Sequence, residues 1–244
     1  HMIKFNNIYK KLNNREILSG VDFLINTGEV IAIVGLSGAG KSVTLKHIVR
    51  LMSPDRGSIE INGEQIDNLS NSDIRNKRSK IGVLFQSSAL IQWLSVYENV
   101  ALPLHQRTSK TENEIYKIVS ERLKWVDLFE SKDLYPSELS GGMQKRVGLA
   151  RATILNPKII LYDEPTSGLD PVTSRKIDKL IMKLNNEMQL TSVIITHDLI
   201  SALSISSKIM MLHNGKIIEF CNPNDFIKSN HPVVQKFVNS QKIL

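Results

Sequence analysis

Gly35-Leu36-Ser37-Gly38-Ala39-Gly40-Lys41-Ser42 lies between two segments of different character. The apolar run before it, Val30–Val34, is short and has glycine near each end, which predicts a buried strand. The segment after it, residues 43–50, is predicted to form a helix. A strand, a glycine-rich loop and a helix start, in that order, are the setting that a phosphate-binding loop requires.

The residues of this loop suit the binding of phosphate. Glycine lets the backbone turn so that several N–H groups face one anion, and the helix N-terminus adds positive partial charge. Lys41 is expected to reach the β- and γ-phosphates, and the hydroxyl group of Ser42 to coordinate Mg²⁺. The other predicted nucleotide-binding positions are Gly35, Ser37, Gly38, Ala39, Gly40 and Val43. An ordinary glycine-rich turn is the alternative, which the full motif match disfavours.

The composition places few limits on the partners. Of the 244 residues, 41% are hydrophobic and 23% charged, as in a globular protein with a sizeable core. The formal net charge of +7 suits nucleic acid or an anionic membrane, but the basic residues are scattered, and the densest run, residues 75–80, is interpreted as a solvated surface patch. The single cysteine, Cys221, excludes an internal disulfide. Neither a membrane span nor a signal peptide is predicted.

Along the chain, short strands give way to alternating strands and helices. Residues 3–25 carry short apolar segments interrupted at Asn13-Asn14 and Ser19-Gly20, and Asn62-Gly63 ends an alternating segment as a hairpin turn would. Residues 87–145 have a helical pattern and are interpreted as an insertion between two core strands. The remaining alternation of strands and helices predicts an α/β core.

Three further motifs carry residues suited to phosphate chemistry. Asp163 and Glu164 end a continuously apolar strand, where one carboxylate can hold Mg²⁺ and the other can orient and deprotonate water. Ser140-Gly141-Gly142 at a helix start can offer free N–H groups to an anion, although a plain N-cap explains it as well. His197 directly follows a predicted strand, where it can contact a γ-phosphate or be structural.

In their order along the chain, these motifs resemble those of the ATP-binding cassette (ABC) ATPases. They match the family's Walker A loop, Q-loop, signature, Walker B strand, D-loop and switch histidine at residues 35–42, Gln86, 139–144, 159–164, 167–170 and His197. The resemblance extends over residues 3–220. It implies a P-loop NTPase fold of ABC type, with a mixed parallel core sheet, an N-terminal antiparallel β-subdomain and a helical subdomain, and it implies ATP and Mg²⁺ as cofactors.

The resemblance also implies the domain boundaries. An ATP-binding core of RecA type, with the antiparallel β-subdomain, is expected at residues 1–86 and 146–222. The helical subdomain that carries the signature is expected at residues 87–145, and a short helical tail at residues 223–244.

Individual roles follow from the same resemblance. Catalysis is implied for Glu164 as the general base, His197 as the switch residue and Gln86 as the sensor of Mg²⁺. The implied ligands of Mg²⁺ are Ser42, Gln86 and Asp163. In the family two cassettes pair head to tail around two ATP molecules, so the nucleotide of one chain is expected to contact Ser140, Gly141 and Gly142 of a second copy, while Asp170 couples the two sites. Leu12 stands where the family commonly has the aromatic residue that stacks on adenine.

Four stretches are similar to one branch of the family, the cassettes of mammalian-cell-entry-type lipid transporters such as the bacterial Mla system. They are residues 84–90, 96–104, 136–143 and 231–237. This similarity implies a peripheral ATPase on the cytoplasmic face of the inner membrane that powers phospholipid movement. The implied partners are a second copy, an integral membrane permease and a lipid-binding subunit with a mammalian-cell-entry domain, and no nucleic acid.

Two alternatives stay open. The first is the ATPase of an importer for a small polar solute such as an amino acid, which the co-purifying permease would distinguish. The second is a soluble cassette protein that acts on nucleic acid or ribosomes. Such proteins usually carry two cassettes or long coiled-coil arms, and their binding to nucleic acid depends steeply on salt.

Overall fold

The computed structural model describes residues 2–241 of the chain. The strands in that range are β1 (Ile3–Leu12), β2 (Arg15–Ile25), β3 (Val30–Val34), β4 (Arg56–Ile61), β5 (Glu64–Gln65), β6 (Ile81–Leu84), β7 (Ile159–Asp163), β8 (Thr191–Ile195), β9 (Lys208–His213) and β10 (Lys216–Cys221). The α-helices are α1 (Lys41–Ile48), α2 (Asn71–Arg78), α3 (Val96–Arg107), α4 (Glu112–Trp125), α5 (Gly141–Thr153), α6 (Pro171–Met188), α7 (Leu199–Ile205), α8 (Pro223–Lys228) and α9 (Pro232–Ser240).

Two sheets form the framework. The first is antiparallel, in the order β2-β1-β4-β5, and the second has the order β10-β9-β3-β8-β7-β6. Strands β9, β3, β8, β7 and β6 are parallel to one another, and β10 at the edge is antiparallel to β9. Strands β3, β7 and β8 are buried along almost their whole length because both faces of the sheet are covered. The predicted α/β fold, with a mixed core sheet and an antiparallel N-terminal sheet, is confirmed.

Asparagine-rich turns close three hairpins. Both turn residues have φ between 46° and 76°, as type I′ turns require, at Asn13-Asn14, Asn62-Gly63 and Asn214-Gly215. The hairpin turn predicted at Asn62-Gly63 is therefore confirmed.

The interruption predicted at Ser19-Gly20 is wrong. Strand β2 continues through both residues. Ile8 pairs with Val21 and Tyr9 pairs with Ser19, so Gly20 is an extra residue in the strand, and its φ of 76° suits such a bulge. The glycine bends β2 without ending it.

Helices α3, α4 and α5 enclose an apolar cluster of their own. Its buried members include Val96, Val100, Leu104, Ile115, Val119, Leu123, Val147 and Ala150. Capping boxes begin α3, at Ser95 and Glu98, and α4, at Thr111 and Glu114. The helical pattern predicted for residues 87–145 is therefore observed as α3, α4 and the start of α5.

Helix α2 has no counterpart among the predicted elements. Ser70 caps its N-terminus by accepting a hydrogen bond from the backbone N–H of Asp73. Among the described side chains of the helix, only that of Ile74 is apolar and buried. The basic run predicted as a solvated patch lies partly in this helix. Arg78 turns toward the core and donates hydrogen bonds to the carbonyl oxygens of Val49 (2.8 Å) and Arg50 (2.6 Å).

The C-terminal segment packs back on the second sheet. Val234, Phe237 and Val238 of α9 are buried in a cluster with residues of β3 and β9. The predicted helical tail is observed as α8 and α9, and its last three positions, 242–244, lie outside the described residues. Within residues 2–241, no helix combines the length and the apolar character needed to cross a membrane.

Candidate active site

The loop between β3 and α1 needs glycine at two positions. Gly35 has φ 149° and Gly40 has φ 103°, both in the range that other residues rarely adopt. A Cβ atom on Gly35 would lie 2.4 Å from the carbonyl oxygen of Leu212, and one on Gly40 would lie 2.8 Å from Leu18 Cδ2. The loop therefore lies directly against β9 and β2, with Ala39 buried beneath it.

Lys41, the first residue of α1, turns its side chain back into the loop. Its Nζ atom donates hydrogen bonds to the carbonyl oxygens of Gly35 (2.6 Å) and Leu36 (3.1 Å). Burial lowers the pKa of Lys41, while the carboxylates of Glu164 and Asp163 act in the opposite direction. The cation can exchange a carbonyl oxygen for a phosphate oxygen without leaving the loop.

Two carboxylates stand at the carboxyl end of β7. Burial raises the pKa of Asp163, and the adjacent charge of Glu164 raises it further. Glu164 has a left-handed backbone, with φ 49°, and its N–H donates to the carbonyl oxygen of Ile195 (2.9 Å) at the end of β8. This hydrogen bond aligns the ends of two neighbouring strands, so the residues that follow them meet.

His197, which follows β8, contacts Glu164. Its Nδ1 atom lies 2.8 Å from Glu164 Oε2, and its backbone N–H donates to the same oxygen at 3.4 Å. The side chain of Glu164 is 13% exposed, whereas that of His197 is 66% exposed. This pair can hold a water molecule at the mouth of the cleft and accept its proton.

Gln86 and Lys145 link this edge of the sheet to the helical segment. Gln86 follows β6, and its Nε2 atom donates to Ser167 Oγ (3.3 Å). Lys145 of α5 is only 4% exposed, and its Nζ atom donates to the carbonyl oxygens of Gln86 and Glu164. Burial lowers the pKa of Lys145. Lys145 was not predicted as a site residue, although its spacing from Gly142 and Leu149 places it on the buried face of α5.

Residues of the P-loop and of the strand ends beside it line one cleft of about 600 Å³, called the P-loop cleft below. Its predicted members are Gly35, Ser37, Gly38, Gly40, Lys41, Ser42, Val43, Gln86, Asp163, Glu164 and His197. The sequence did not predict the other lining residues, which are Ile17 from β2, Leu36 of the loop, Ile195 from β8, and Phe237, Ser240 and Gln241 from the C-terminal segment. Leu12 is not among the described residues that line the cleft.

The signature residues do not join this cleft. Ser140 caps α5 and accepts a hydrogen bond from the N–H of Met143 (3.3 Å), and with Gly142 it lines a separate cleft between α5 and α6. A Cβ atom on Gly142 would lie 2.7 Å from Thr173 Cγ2, and one on Gly141 would lie 3.2 Å from Leu169.

Asp170 also acts as a helix cap. Its carboxylate accepts hydrogen bonds from the N–H groups of Val172 and Thr173 (both 3.0 Å) at the start of α6. Hydrogen bonding from the side chain of Thr173, followed by the backbone N–H groups of Thr173 and Val172, lowers the pKa of Asp170. Among the residues that the structure describes, the predicted nucleotide ligands thus form two groups.

The segment after Gln86 is held by α5. Ser88 and Ala89 both have left-handed backbones, with φ 60° and 47°. Arg151 donates to their carbonyl oxygens, at 2.7 Å and 2.8 Å. The buried amide of Asn99 bonds to both the N–H and the carbonyl oxygen of Ile91, which fixes the end of the segment.

The donor set in the P-loop cleft suits Mg²⁺. Ser42 offers a hydroxyl oxygen, Gln86 an amide oxygen and Asp163 a carboxylate oxygen, and all three line the cleft. Mg²⁺ prefers a few such oxygen ligands together with water and phosphate oxygens. Among the described residues, no group of three or more histidine, cysteine, aspartate or glutamate side chains could hold a metal ion by itself.

Comparison with known proteins identifies the family. The family model described as ABC transporter matches residues 18–167. The probable ribonucleotide transport ATP-binding protein mkl of Mycobacterium tuberculosis is 41% identical over 241 residues, which are 99% of this chain and 67% of that protein. The methionine import ATP-binding protein MetN 1 of Bacillus anthracis is 39% identical over 98% of this chain and 70% of its own length.

Solved structures agree. The dimeric cassette MJ0796, in a post-hydrolysis state bound to ADP and phosphate, has a TM-score of 0.83 and 36% identity and covers 91% of this chain and 99% of its own. CbiO1 of Clostridium perfringens, part of the cbiONQ transporter complex, has a TM-score of 0.87 and 30% identity and covers 99% of this chain and 96% of its own.

The chain belongs to the ABC transporter ATP-binding family. It has the ABC ATPase fold and is an ATPase, the ATP-binding subunit of an ABC transporter. The fold type and the ATPase activity implied by the motifs are thereby confirmed. The relatives named above are described as proteins of ribonucleotide transport and of methionine import. Membership of the lipid-transport branch therefore stays a prediction.

Proposed function

We propose that the chain hydrolyses Mg²⁺-ATP at a site completed by a second copy of itself. The observation that carries this proposal is the separation of the predicted ligands into two clefts. The P-loop cleft holds Lys41 and Glu164, whereas Ser140 and Gly142 line another. A head-to-tail pair would bring the signature of one chain over the P-loop of its partner, where the free N–H groups at the start of α5 would face the phosphates.

Each residue of the P-loop cleft has a task in the proposed reaction. Lys41 and the loop N–H groups hold the β- and γ-phosphates. Ser42, Gln86 and Asp163 would hold Mg²⁺, which would supply positive charge to neutralise the phosphate oxygens. Glu164 takes a proton from the attacking water as the water oxygen bonds to the γ-phosphorus atom and ADP leaves.

His197 orients the proposed base. Its ring lies 2.8 Å from the Glu164 carboxylate, close enough to select one rotamer of that side chain. When ATP is bound, the largely exposed ring can also turn to the γ-phosphate. Asp170, at the start of α6, lies in the loop that would face the second chain.

The substitution Glu164→Gln tests this mechanism. It keeps the size of the side chain but removes its basicity, so kcat should fall by a factor of about 100 or more while the affinity for ATP is retained. ATP should then hold the variant as a dimer, which light scattering detects. Glu187→Gln, at an exposed carboxylate of α6, is the matched control. Wild-type turnover in Glu164→Gln would show that another group is the base.

We further propose that a permease docks beside the Q-loop, on the groove between β6 and α3. Leu51 and Phe85 line this groove and are 59% and 41% exposed, a large exposure for apolar side chains. Trp93, in the loop between Gln86 and α3, is 79% exposed. A permease helix seated here would contact the segment that positions Gln86, so its movement would reach the nucleotide. Docking of this kind makes the chain a peripheral subunit on the cytoplasmic face of the membrane.

Phospholipid is the cargo that the branch similarity supports, with a mammalian-cell-entry-domain subunit as the second partner. Import of a small polar solute is the other candidate, favoured by the 39% identity to a protein named for methionine import. The test is purification of the tagged chain from its native membranes in mild detergent, followed by mass spectrometry of proteins and lipids. Enriched phospholipid supports the first candidate. A permease that co-purifies with a solute-binding protein, without lipid, supports the second.

A further inference from the structure

The residue that follows α9 bonds to both sides of the switch loop. Gln241 Nε2 donates to the carbonyl oxygen of His197 (2.6 Å), and Gln241 Oε1 accepts from the backbone N–H of Leu199 (2.9 Å). One side-chain amide therefore closes a ring with residues 197–199. Because hydrogen bonds are directional, this double contact restrains the orientation of the two peptide groups as well as their distance from α9.

Helix α9, which directly precedes Gln241, is anchored in the core. Phe237 and Val238 of α9 are 5% and 2% exposed and pack against the second sheet. Gln235 Nε2 donates to the carbonyl oxygens of Ile227 (3.3 Å) and Ser229, which joins α9 to the end of α8. The amide of Gln241 is thus presented by an element anchored in the core.

The other flank of the switch loop is anchored separately. Asp198 caps α7 by accepting from the N–H groups of Ile200 (2.9 Å) and Ser201 (3.1 Å), and it pairs with Arg175 of α6. These contacts fix the start of α7. They do not reach the carbonyl group of His197, which Gln241 binds.

We propose that Gln241 is a positioning residue that sets the orientation of His197. The ring and the backbone N–H of His197 both meet the same oxygen of Glu164, so a displacement of the His197 backbone would lengthen both contacts. Gln241 opposes that displacement by holding the carbonyl oxygen of His197 and the N–H of Leu199. The inference rests on the proposed role of His197 in hydrolysis. It makes the C-terminal segment, which lies beyond the residues matched by the family model, a part of the active site.

Two substitutions of Gln241 distinguish the effects of its two hydrogen bonds. Gln241→Ala removes both. Gln241→Glu keeps an acceptor for the N–H of Leu199 but places a carboxylate oxygen against the carbonyl oxygen of His197. Asn239→Ala, at an exposed position of the same helix, is the matched control. His197→Ala reports whether the switch residue itself matters.

Two readouts are needed. The first is steady-state ATP hydrolysis, with kcat and KM measured separately. The second is hydrogen exchange at the backbone amide of Leu199, which does not depend on activity.

For Gln241→Ala we expect kcat to fall about tenfold with little change in KM, within the hundredfold loss that a displacement of about 1 Å can cause. Exchange at Leu199 should accelerate. Gln241→Glu should lose a similar share of kcat but keep Leu199 protected. Asn239→Ala should match the wild type in both measurements.

The outcomes distinguish the inference from the proposed function. If His197→Ala loses activity while Gln241→Ala keeps wild-type kcat, the positioning role is wrong and the role of His197 stands. If His197→Ala itself keeps wild-type kcat, the proposed role of the switch residue fails. Unchanged exchange at Leu199 in Gln241→Ala would contradict the inference without reference to either rate. A rise in KM with constant kcat would also overturn it, because it would indicate nucleotide binding instead of positioning.

Discussion

Replacement of Arg151 by methionine should loosen the segment after Gln86 at a modest cost in global stability. Arg151 donates two short hydrogen bonds, to the carbonyl oxygens of Ser88 and Ala89, and a long one of 3.5 Å to Asn99 Oδ1 that adds little. Hydrogen bonds to a charged group contribute about 1.5–3 kcal/mol each, so the pair contributes about 3–6 kcal/mol. The left-handed backbone at Ser88 and Ala89 costs about 1–2 kcal/mol per residue, or about 2–4 kcal/mol in total.

The difference between these two sums sets the expected effect. Once Arg151 is gone, the segment can leave its left-handed conformation and recover that strain. The free energy of unfolding should therefore fall by about 1.5 kcal/mol, the difference between the mid-points, and not by the full 3–6 kcal/mol. For a chain of this size that corresponds to a fall of about 3–6 °C in the melting temperature. ATP hydrolysis should fall as well, because Gln86 loses its fixed position.

Urea unfolding and hydrogen exchange over residues 86–91 together test this prediction. Exchange in that segment should accelerate strongly in Arg151→Met. Arg146→Met is the matched control, since Arg146 is on the same helix and also donates to two carbonyl oxygens, those of Val126 (3.1 Å) and Asp127 (3.0 Å). It should leave exchange over residues 86–91 unchanged. A loss of 3 kcal/mol or more in Arg151→Met with unchanged exchange would refute the reasoning, because the strained segment would then be held by other contacts.

Three further predictions concern the core and the cleft. Burial and the charge of Glu164 raise the pKa of Asp163 in the folded chain. Its stabilising contribution is therefore present at acidic pH and is lost as the pH rises through the folded pKa. Asp163→Asn should raise the melting temperature near neutral pH, raise it less in acid, and abolish Mg²⁺-dependent hydrolysis. Burial and the charges of Glu219 and Asp225 raise the pKa of Cys221 from 9.0 to about 11, so its thiolate should be about 100-fold scarcer than that of an unperturbed thiol, and a disulfide reagent should label it slowly until urea unfolds the chain. Tyr162→Phe removes one buried hydrogen bond to Asn185 Oδ1, which keeps its bond from Ser192; a loss of about 0.5–1.5 kcal/mol is expected in urea unfolding, and a loss above 3 kcal/mol would contradict this account.

The sequence predicts those elements whose signals are local. Strand β3, the P-loop and α1 follow one another within a single stretch, so an apolar run, glycines and a helix start are enough to recognise them. The asparagine-rich hairpin turns are equally local, since their residue types already favour positive φ. The failure at Gly20 has the same origin, because a glycine inside a strand and a glycine that ends one look alike until the partner strand shows the bulge.

Features that depend on distant residues could not be predicted. Lys145 contacts Gln86 across 59 positions, and Gln241 contacts His197 across 44. The spacing of Lys145 along α5 indicates burial, but no local pattern shows that it contacts Gln86. None marks Gln241 as part of the cleft, because such a polar side chain is usually solvated. Helix α2 was missed for a related reason. Its described residues are mostly polar and exposed, so its sequence has no apolar stripe of helical period from which the helix could be predicted.

The position of Trp93 has a spectroscopic consequence. The chain contains two tryptophans, and their surroundings differ. The indole of Trp93 is 79% exposed, so its fluorescence should resemble that of tryptophan in water, whereas the ring of Trp125 lies 4.8 Å from the guanidinium group of Arg122. A permease helix that covered the groove between β6 and α3 and the neighbouring loop would shift the emission of Trp93 to shorter wavelength and leave that of Trp125 unchanged. With Trp125 replaced by phenylalanine, the chain would report its own docking without an added dye.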